Sequence, residues 1–148
     1  MVFRTAYRIT GNAADAEDIL QTVFLRLLRR EHRPEMDNQE SYLRRAAVNA
    51  ALDVVRSSRD ARSVPLDGLS LPGTQQTESR ELRGQLRKAL ARLQPREAEI
   101  FALRFFEDRS NQEIAQMLGI SQVHVAVILH RTRRQLQNEI RSYVGDRR

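Results

Sequence analysis

Residues 63–77, Ser-Val-Pro-Leu-Asp-Gly-Leu-Ser-Leu-Pro-Gly-Thr-Gln-Gln-Thr, carry no helical periodicity and divide a chain that is otherwise patterned as helix. They hold two of its 4 prolines and two of its 6 glycines, the composition of a linker. On either side apolar residues recur at steps of three and four, and no alternating β-branched run is long enough for a strand. The pattern predicts an all-α chain of two small helical domains joined by a flexible linker: residues 1–62, a linker at 63–77, and residues 78–148. A length of 148 residues suits one ordinary domain or two very small ones. The chain has 0 cysteines, which excludes a disulfide scaffold or a thiolate metal site. No apolar run approaches the ~18 residues of a membrane span. The first residues, Met1 to Arg8, have no apolar core followed by a cleavage site, so the expected location is the cytoplasm.

In the first unit, Gly11-Asn12 ends a short opening helix and Asn12 can cap the next, with Asp15, Glu17 and Asp18 near its positive end. That helix is expected to reach about Arg30, with Ile19, Leu20, Val23, Phe24, Leu27 and Leu28 forming one broad face for burial. Asp37 and Glu40 have the spacing of a capping pair for a third helix ending near Arg62. Leu43, Ala46, Ala47, Ala50 and Val54 are its expected inner positions. Arg45, Asn49, Asp53 and Arg56 line a different face.

In the second unit a helix is expected from Glu78 to Leu93, and Pro95 suits the first turn of another that ends near Phe106. Ser110 and Glu113 make a Ser-x-x-Glu capping box. The short helix that follows stops at Gly119-Ile120-Ser121, and Ser121 can cap a last helix from Gln122 to about Tyr143. A capped short helix, a three-residue turn containing glycine and a longer basic helix form a helix-turn-helix.

Charge is distributed unevenly. The net charge is +6, and 24 of the 25 basic residues are arginine, whose five-donor fork suits phosphates and base edges. Residues 121–148 hold 6 basic and 2 acidic groups, whereas residues 97–113 hold 2 basic and 5 acidic ones. His32, His124 and His130 lack the spacing of a metal set. With no glycine-rich phosphate loop and no nucleophile, base or paired-carboxylate arrangement, the chain reads as a binding protein without cofactor and not as an enzyme. Taken singly, the remaining features leave alternatives open. Asp15 to Asp18 complement a helix dipole, Asn49 fits a solvated face, and Tyr42 suits either packing or stacking on a single-stranded base.

The segments from Asp15 to Leu27, from Tyr42 to Asp53, and from Leu93 through Glu97 and Glu113 to Ser121, taken in that order, resemble a small sigma factor of the extracytoplasmic-function group of the bacterial sigma-70 family. The first resembles the family's core-polymerase-binding helix, the second its promoter-melting helix, and the third the domain that reads the upstream promoter element. Two domains joined by a linker are the group's own arrangement.

The resemblance implies that Asp15, Asp18, Gln21 and Phe24 bind core RNA polymerase. It implies that Tyr42, Arg45, Asn49, Arg56 and Arg59 serve the -10 element, with Asn49 and the loop at 31–38 holding an extruded base. Arg104, Ser121, Gln122, His124, Arg131, Arg133 and Arg134 would engage the -35 duplex. The implied partners are core polymerase, promoter DNA and an anti-sigma protein. Capture of a flipped base offsets the few kcal/mol that unstacking costs, and the linker reaches at most roughly 50 Å when extended.

Two departures qualify the match. The chain starts inside what the resemblance makes the first helix, so the first unit is expected to lack part of a wall. In the expected recognition helix, Ala126, Val127 and Ile128 replace polar and basic groups. With Val125 and Leu129 supplying the core, some of them are expected to face outward and leave an apolar surface suited to a partner or to thymine methyls. Beside the sigma factor, a second reading therefore stands: a sigma-like interaction protein that uses this surface for a protein or for self-association.

Overall fold

The computed structural model describes residues 1–29, 38–61 and 74–146, and their side chains except those of 58–61, 74–79 and 143–146. The described residues form seven helices: α1 (Val2–Thr10), α2 (Ala13–Arg29), α3 (Gln39–Ala61), α4 (Thr74–Arg92), α5 (Pro95–Phe105), α6 (Asn111–Leu118) and α7 (Gln122–Asp146). The all-α expectation holds. Helix α4 starts at Thr74, four residues before the expected Glu78, and so takes up the end of the segment read as linker. The remainder of that linker, with Arg62, lies outside the described residues.

Local chemistry accounts for most helix ends. Gly11 closes α1 in the left-handed region at φ 69°, where only glycine avoids a steric penalty. The Asn12 Oδ1 then accepts from the Asp15 N–H at 3.0 Å and opens α2. At α3 the cap is Asn38, whose Oδ1 accepts from the Ser41 N–H at 3.1 Å. Of the expected Asp37–Glu40 pair, Asp37 lies outside the described residues, and Glu40 pairs with Arg44 one turn on. Pro95 takes the first turn of α5. Ser110 and Glu113 bond reciprocally at the start of α6, Gly119 ends it at φ 70°, and the Ser121 Oγ accepts from the His124 N–H at 3.0 Å to open α7.

Helices α1, α2 and α3 pack on one another, and α7 packs on α4, α5 and α6. In the first group Val2, Ala6, Ile9, Ala16, Ile19, Val23, Ala47, Val48, Ala51, Leu52 and Val55 are buried. Of the expected inner positions of α3, Ala47 is buried and Leu43, Ala46, Ala50 and Val54 are partly buried against the core, so the inward face is broader than expected and takes in Val48, Ala51, Leu52 and Val55 as well. On α2 the row Ile19, Val23 and Leu27 faces inward, while Phe24 and Leu28 are 45% and 75% exposed. Leu20 packs partly buried beside that row, so of the six residues expected on the buried face Phe24 and Leu28 turn outward.

In the second group Leu90, Ile100, Leu103, Ile114, Val125, Ile128, Leu129 and Leu136 fill the interior. Of the three apolar residues of which some were expected to face outward, Ala126 and Val127 do, and Ile128, 3% exposed, faces the interior. The two groups also touch, with α3 against both α4 and α5, and their buried residues form one continuous cluster.

Candidate nucleic-acid and polymerase interfaces

Asp18, Gln21 and Phe24 are exposed on the outer face of α2, and Asp15 is half-buried at its first turn. Leu25 and Leu28 extend the exposed stripe with apolar area, at 51% and 75%. Sequence reading missed a second outward pair, Phe3 and Tyr7 on α1. Their rings stack with centroids 6.2 Å apart, and their spacing of four in a helix was the signal that could have disclosed them.

On α3 the Arg45 guanidinium grips one carboxylate twice: Nε lies 2.7 Å from Glu99 Oε2 and Nη2 3.3 Å from Oε1. Asn49 Nδ2 donates to the same Oε2 at 2.9 Å. Arg56 pairs with Asp53 at 3.5 Å, and Tyr42 is half-buried near the start of the helix. Arg59 lies on α3 with its side chain outside the described residues, as does the loop at 31–37. The structure therefore brings Arg45 and Asn49 to one point, and that point is occupied by a residue of α5.

A second carboxylate, Glu107, sits just past the C-terminus of α5 and is 2% exposed. Its Oε1 accepts from Thr5 Oγ1 and from Arg44 Nη1, each at 2.5 Å, and its Oε2 accepts from Arg8 Nη1 at 2.9 Å. The negative end of α5 disfavours a carboxylate there, and the two guanidiniums offset it. Arg44 also donates to Glu40 at 2.6 Å, which holds the Glu40 carboxyl below its ordinary value. Neither Glu99 nor Glu107 was singled out from the sequence, because each finds its partners 50 to 102 residues away.

At the helix-turn-helix, Ser121, Gln122, His124, Arg131, Arg133 and Arg134 are exposed along α7. Val123 and Val127 join them at 73% and 49%, with Ala126 beside them. The outward apolar side chains expected here are thus Ala126 and Val127, and Ile128 does not contribute. Arg133 lies 5.1 Å from the Phe105 ring centroid and Arg104 5.6 Å from it, so that one aromatic ring meets two cations. The backbone N–H of Ser110 and then its hydroxyl hold the Glu113 carboxyl below its ordinary value. Among the described residues no group of histidines and carboxylates could hold a metal ion, and no helix is long and apolar enough to cross a membrane.

Residues 1–61 match the family described as Sigma-70 region 2, and residues 89–138 match Sigma-70, region 4. The chain is 31% identical over 152 residues to the ECF RNA polymerase sigma factor SigE of Mycolicibacterium smegmatis, covering 98% of this chain and 59% of that protein. It is 32% identical over 141 residues to the RNA polymerase sigma-E factor of Streptomyces coelicolor, covering 94% of this chain and 79% of that one. Its fold is similar to that of the sigma factor RpoE of Bartonella quintana, solved in complex with the anti-sigma factor NepR. That match has a TM-score of 0.55 and 17% identity, over 95% of this chain and 89% of the other. Two regions in the family's order and relatives over nearly the whole sequence lead to one conclusion: the chain belongs to the extracytoplasmic-function group of the sigma-70 family of RNA polymerase sigma factors.

Proposed function

We propose that the chain binds core RNA polymerase and directs it to promoters, acting by binding and without bond-making chemistry, in the cytoplasm. The observation that carries this reading is the outer stripe of α2. Asp18, Gln21, Phe24, Leu25 and Leu28 contribute little to the fold's interior, yet they combine hydrogen-bonding groups with a run of exposed apolar side chains. Such a mixed surface suits a protein partner, and core polymerase is the partner that the family supplies.

The roles follow from chemistry. Arg45 and Arg56 offer forks to a DNA backbone, and Asn49 offers both a donor and an acceptor to a base edge. On α7, Gln122 and His124 can reach base edges from the first turn, while Arg131 and Arg134 suit phosphates. The Bartonella quintana sigma factor was solved bound to an anti-sigma factor, and a protein inhibitor of this kind is proposed for the present chain as well. A purely protein-binding role for α7 is not favoured, because Ile128 faces the interior and leaves Val123, Ala126 and Val127 as a narrow apolar strip among polar side chains.

The test separates binding from folding. An Asp18→Ala, Gln21→Ala double variant should keep its helical circular dichroism and melting temperature while losing affinity for core polymerase. Asn49→Ala should keep that affinity and lose open-complex formation on a promoter. Unchanged polymerase affinity in the first variant, or unimpaired opening in the second, would overturn the corresponding role.

A further inference from the structure

The outward face of α7 changes chemistry along its length. An α-helix turns about 100° per residue, so Val123, Val127 and Arg134 stand within about 40° of one another, opposite the buried row of Val125, Leu129, Thr132 and Leu136. Gln122 and His124 stand on the two flanks, about 100° to either side of Val123. The first turns of this face are apolar, with Val123 73% and Val127 49% exposed and Ala126 beside them, whereas the later turns carry Arg131 and Arg134. Neither valine serves the core, and both lie in the N-terminal part of the helix, where a recognition helix meets base edges.

Resting on the reading of α7 as the -35 helix, we infer that Val123 and Val127 read the 5-methyl groups of thymine. The chain then selects thymine at two places of its upstream element, roughly two base pairs apart. In the major groove thymine shows an acceptor and a methyl group, and the methyl is the base-edge feature that an apolar side chain can recognise. Cytosine in its place presents a donor and guanine two acceptors, and valine would exclude water from these without replacing the lost hydrogen bond. The spacing fits, since four residues rise about 6 Å along a helix and successive base pairs step by about 3.4 Å. Charge fits as well. Residues 121–148 hold 6 basic and 2 acidic groups, so the helix that presents the valines is complementary to a polyanion. Gln122 and His124 remain to hydrogen-bond neighbouring bases, while Arg131 and Arg134 hold the backbone.

Deoxyuridine lacks the thymine methyl and keeps every hydrogen-bonding group, which isolates the contact. A duplex library randomised at its centre is enriched for binding to the full chain on core polymerase, and the enriched sequence is remade with deoxyuridine at one thymine at a time. Fluorescence anisotropy should show about 4-fold weaker binding at each of two positions, the worth of one buried methyl. Val127→Ala should abolish the difference between thymine and deoxyuridine at one of them and Val123→Ala at the other, while Val127→Thr, which keeps a methyl, should retain most of it. Because both valines are exposed and uncharged, these variants should melt like the unsubstituted chain and keep its salt dependence. Neither a lost fold nor lost phosphate contacts would then imitate the result.

Equal affinity for thymine and deoxyuridine at every enriched position would overturn the inference, as would a difference that survives in the Val123→Ala, Val127→Ala double variant. If that variant keeps the difference but loses a self-association seen by sedimentation, the valines form a contact between copies of the chain instead. A library that yields no enriched sequence is a separate failure: it removes α7 from the -35 element, and the inference goes with it.

Discussion

Asn49 and Glu99 stand 50 residues apart, in helices of different units, and are joined by a hydrogen bond of 2.9 Å from the amide to the carboxylate. The Glu99 side chain is 7% exposed while that of its ion-pair partner Arg45 is 39% exposed, so the two sides of the contact differ in what they lose when it breaks.

That difference predicts an order of effects on stability. Arg45→Ala leaves a buried carboxylate beside Asn49 without its guanidinium, whereas Glu99→Ala leaves an arginine that water can reach. Loss of a hydrogen-bonded charge partner is worth about 1.5–3 kcal/mol, so Arg45→Ala should lie in that range and Glu99→Ala below it. Chemical denaturation of both single variants and the double variant measures the order. A coupling energy below about 0.5 kcal/mol would mean that the pair is independent.

Backbone strain gives a second prediction. Gly119 sits at φ 70° with nothing within 4 Å of an added Cβ, so Gly119→Ala is opposed by conformation alone. The left-handed region is disfavoured for a residue with a side chain by about 1–2 kcal/mol, and the thermal midpoint should fall accordingly. At Gly11, φ +69°, an added Cβ would also meet the Arg87 guanidinium at 2.0 Å. Because that guanidinium is the far end of a flexible side chain, Gly11→Ala should show a similar loss together with displacement of Arg87 from the Ile9 carbonyl, which Arg87 Nε reaches at 3.0 Å. A melting temperature unchanged by Gly119→Ala would contradict the left-handed cap.

What the sequence disclosed and what it concealed divide along one physical line. The caps of α2, α6 and α7 rest on contacts of three residues' reach, Asn12 with Asp15, Ser110 with Glu113 and Ser121 with His124, and were legible. The inward face of α3 was only partly legible because α3 packs against α1, α2, α4 and α5, so that Val48, Ala51, Leu52 and Val55 are buried in addition to the expected row. The inward stripe of α7 runs Val125, Ile128, Leu129, Thr132 and Leu136. A buried threonine, 0% exposed, interrupts its apolar pattern, which concealed the place of Ile128. Of the candidate site, the outward place of Asp18, Gln21 and Phe24 on α2 followed from the resemblance, whereas spacing alone had put Phe24 and Leu28 in the buried face. The occupation of Arg45 and Asn49 by Glu99 could not be anticipated, since it depends on how two units meet.

Acid should loosen the helix-turn-helix. The Glu113 carboxyl is held below its ordinary 4.5 first by the Ser110 N–H and then by its hydroxyl. A carboxyl so lowered contributes stability that is complete above 4.5 and is lost as pH falls through its folded value. An NMR titration of Glu113 should therefore show a midpoint below 4.5 that moves upward in Ser110→Ala without reaching 4.5, because the backbone donor remains. The same substitution removes a helix cap, worth about 1 kcal/mol. A midpoint at 4.5 in the unsubstituted chain would show that the capping box is not formed in solution.

The last prediction concerns the arginines of α7. Arg131 and Arg134 are exposed and free to meet phosphate, whereas Arg133 lies against the Phe105 ring at 5.1 Å. Each lost phosphate contact flattens the dependence of log affinity on log salt by about 0.9. Arg131→Ala with Arg134→Ala should therefore reduce the slope for a -35 duplex by roughly 2 units, and the helix should melt as before because neither side chain is buried. Arg133→Ala is expected to differ: the slope changes less, and stability falls by about 0.5–1 kcal/mol, the worth of an exposed cation–π contact. Val127→Lys adds a cation at an outward place on the same helix and should steepen the slope, while Ile128→Lys, aimed into the interior, should unfold the unit before it affects DNA. Fluorescence anisotropy across a salt series, run beside thermal melts, distinguishes these outcomes. Equal slopes for the Arg131→Ala, Arg134→Ala variant and the unsubstituted chain would remove both residues from the interface, and a soluble, fully folded Ile128→Lys would reverse the assignment of the inward face of α7.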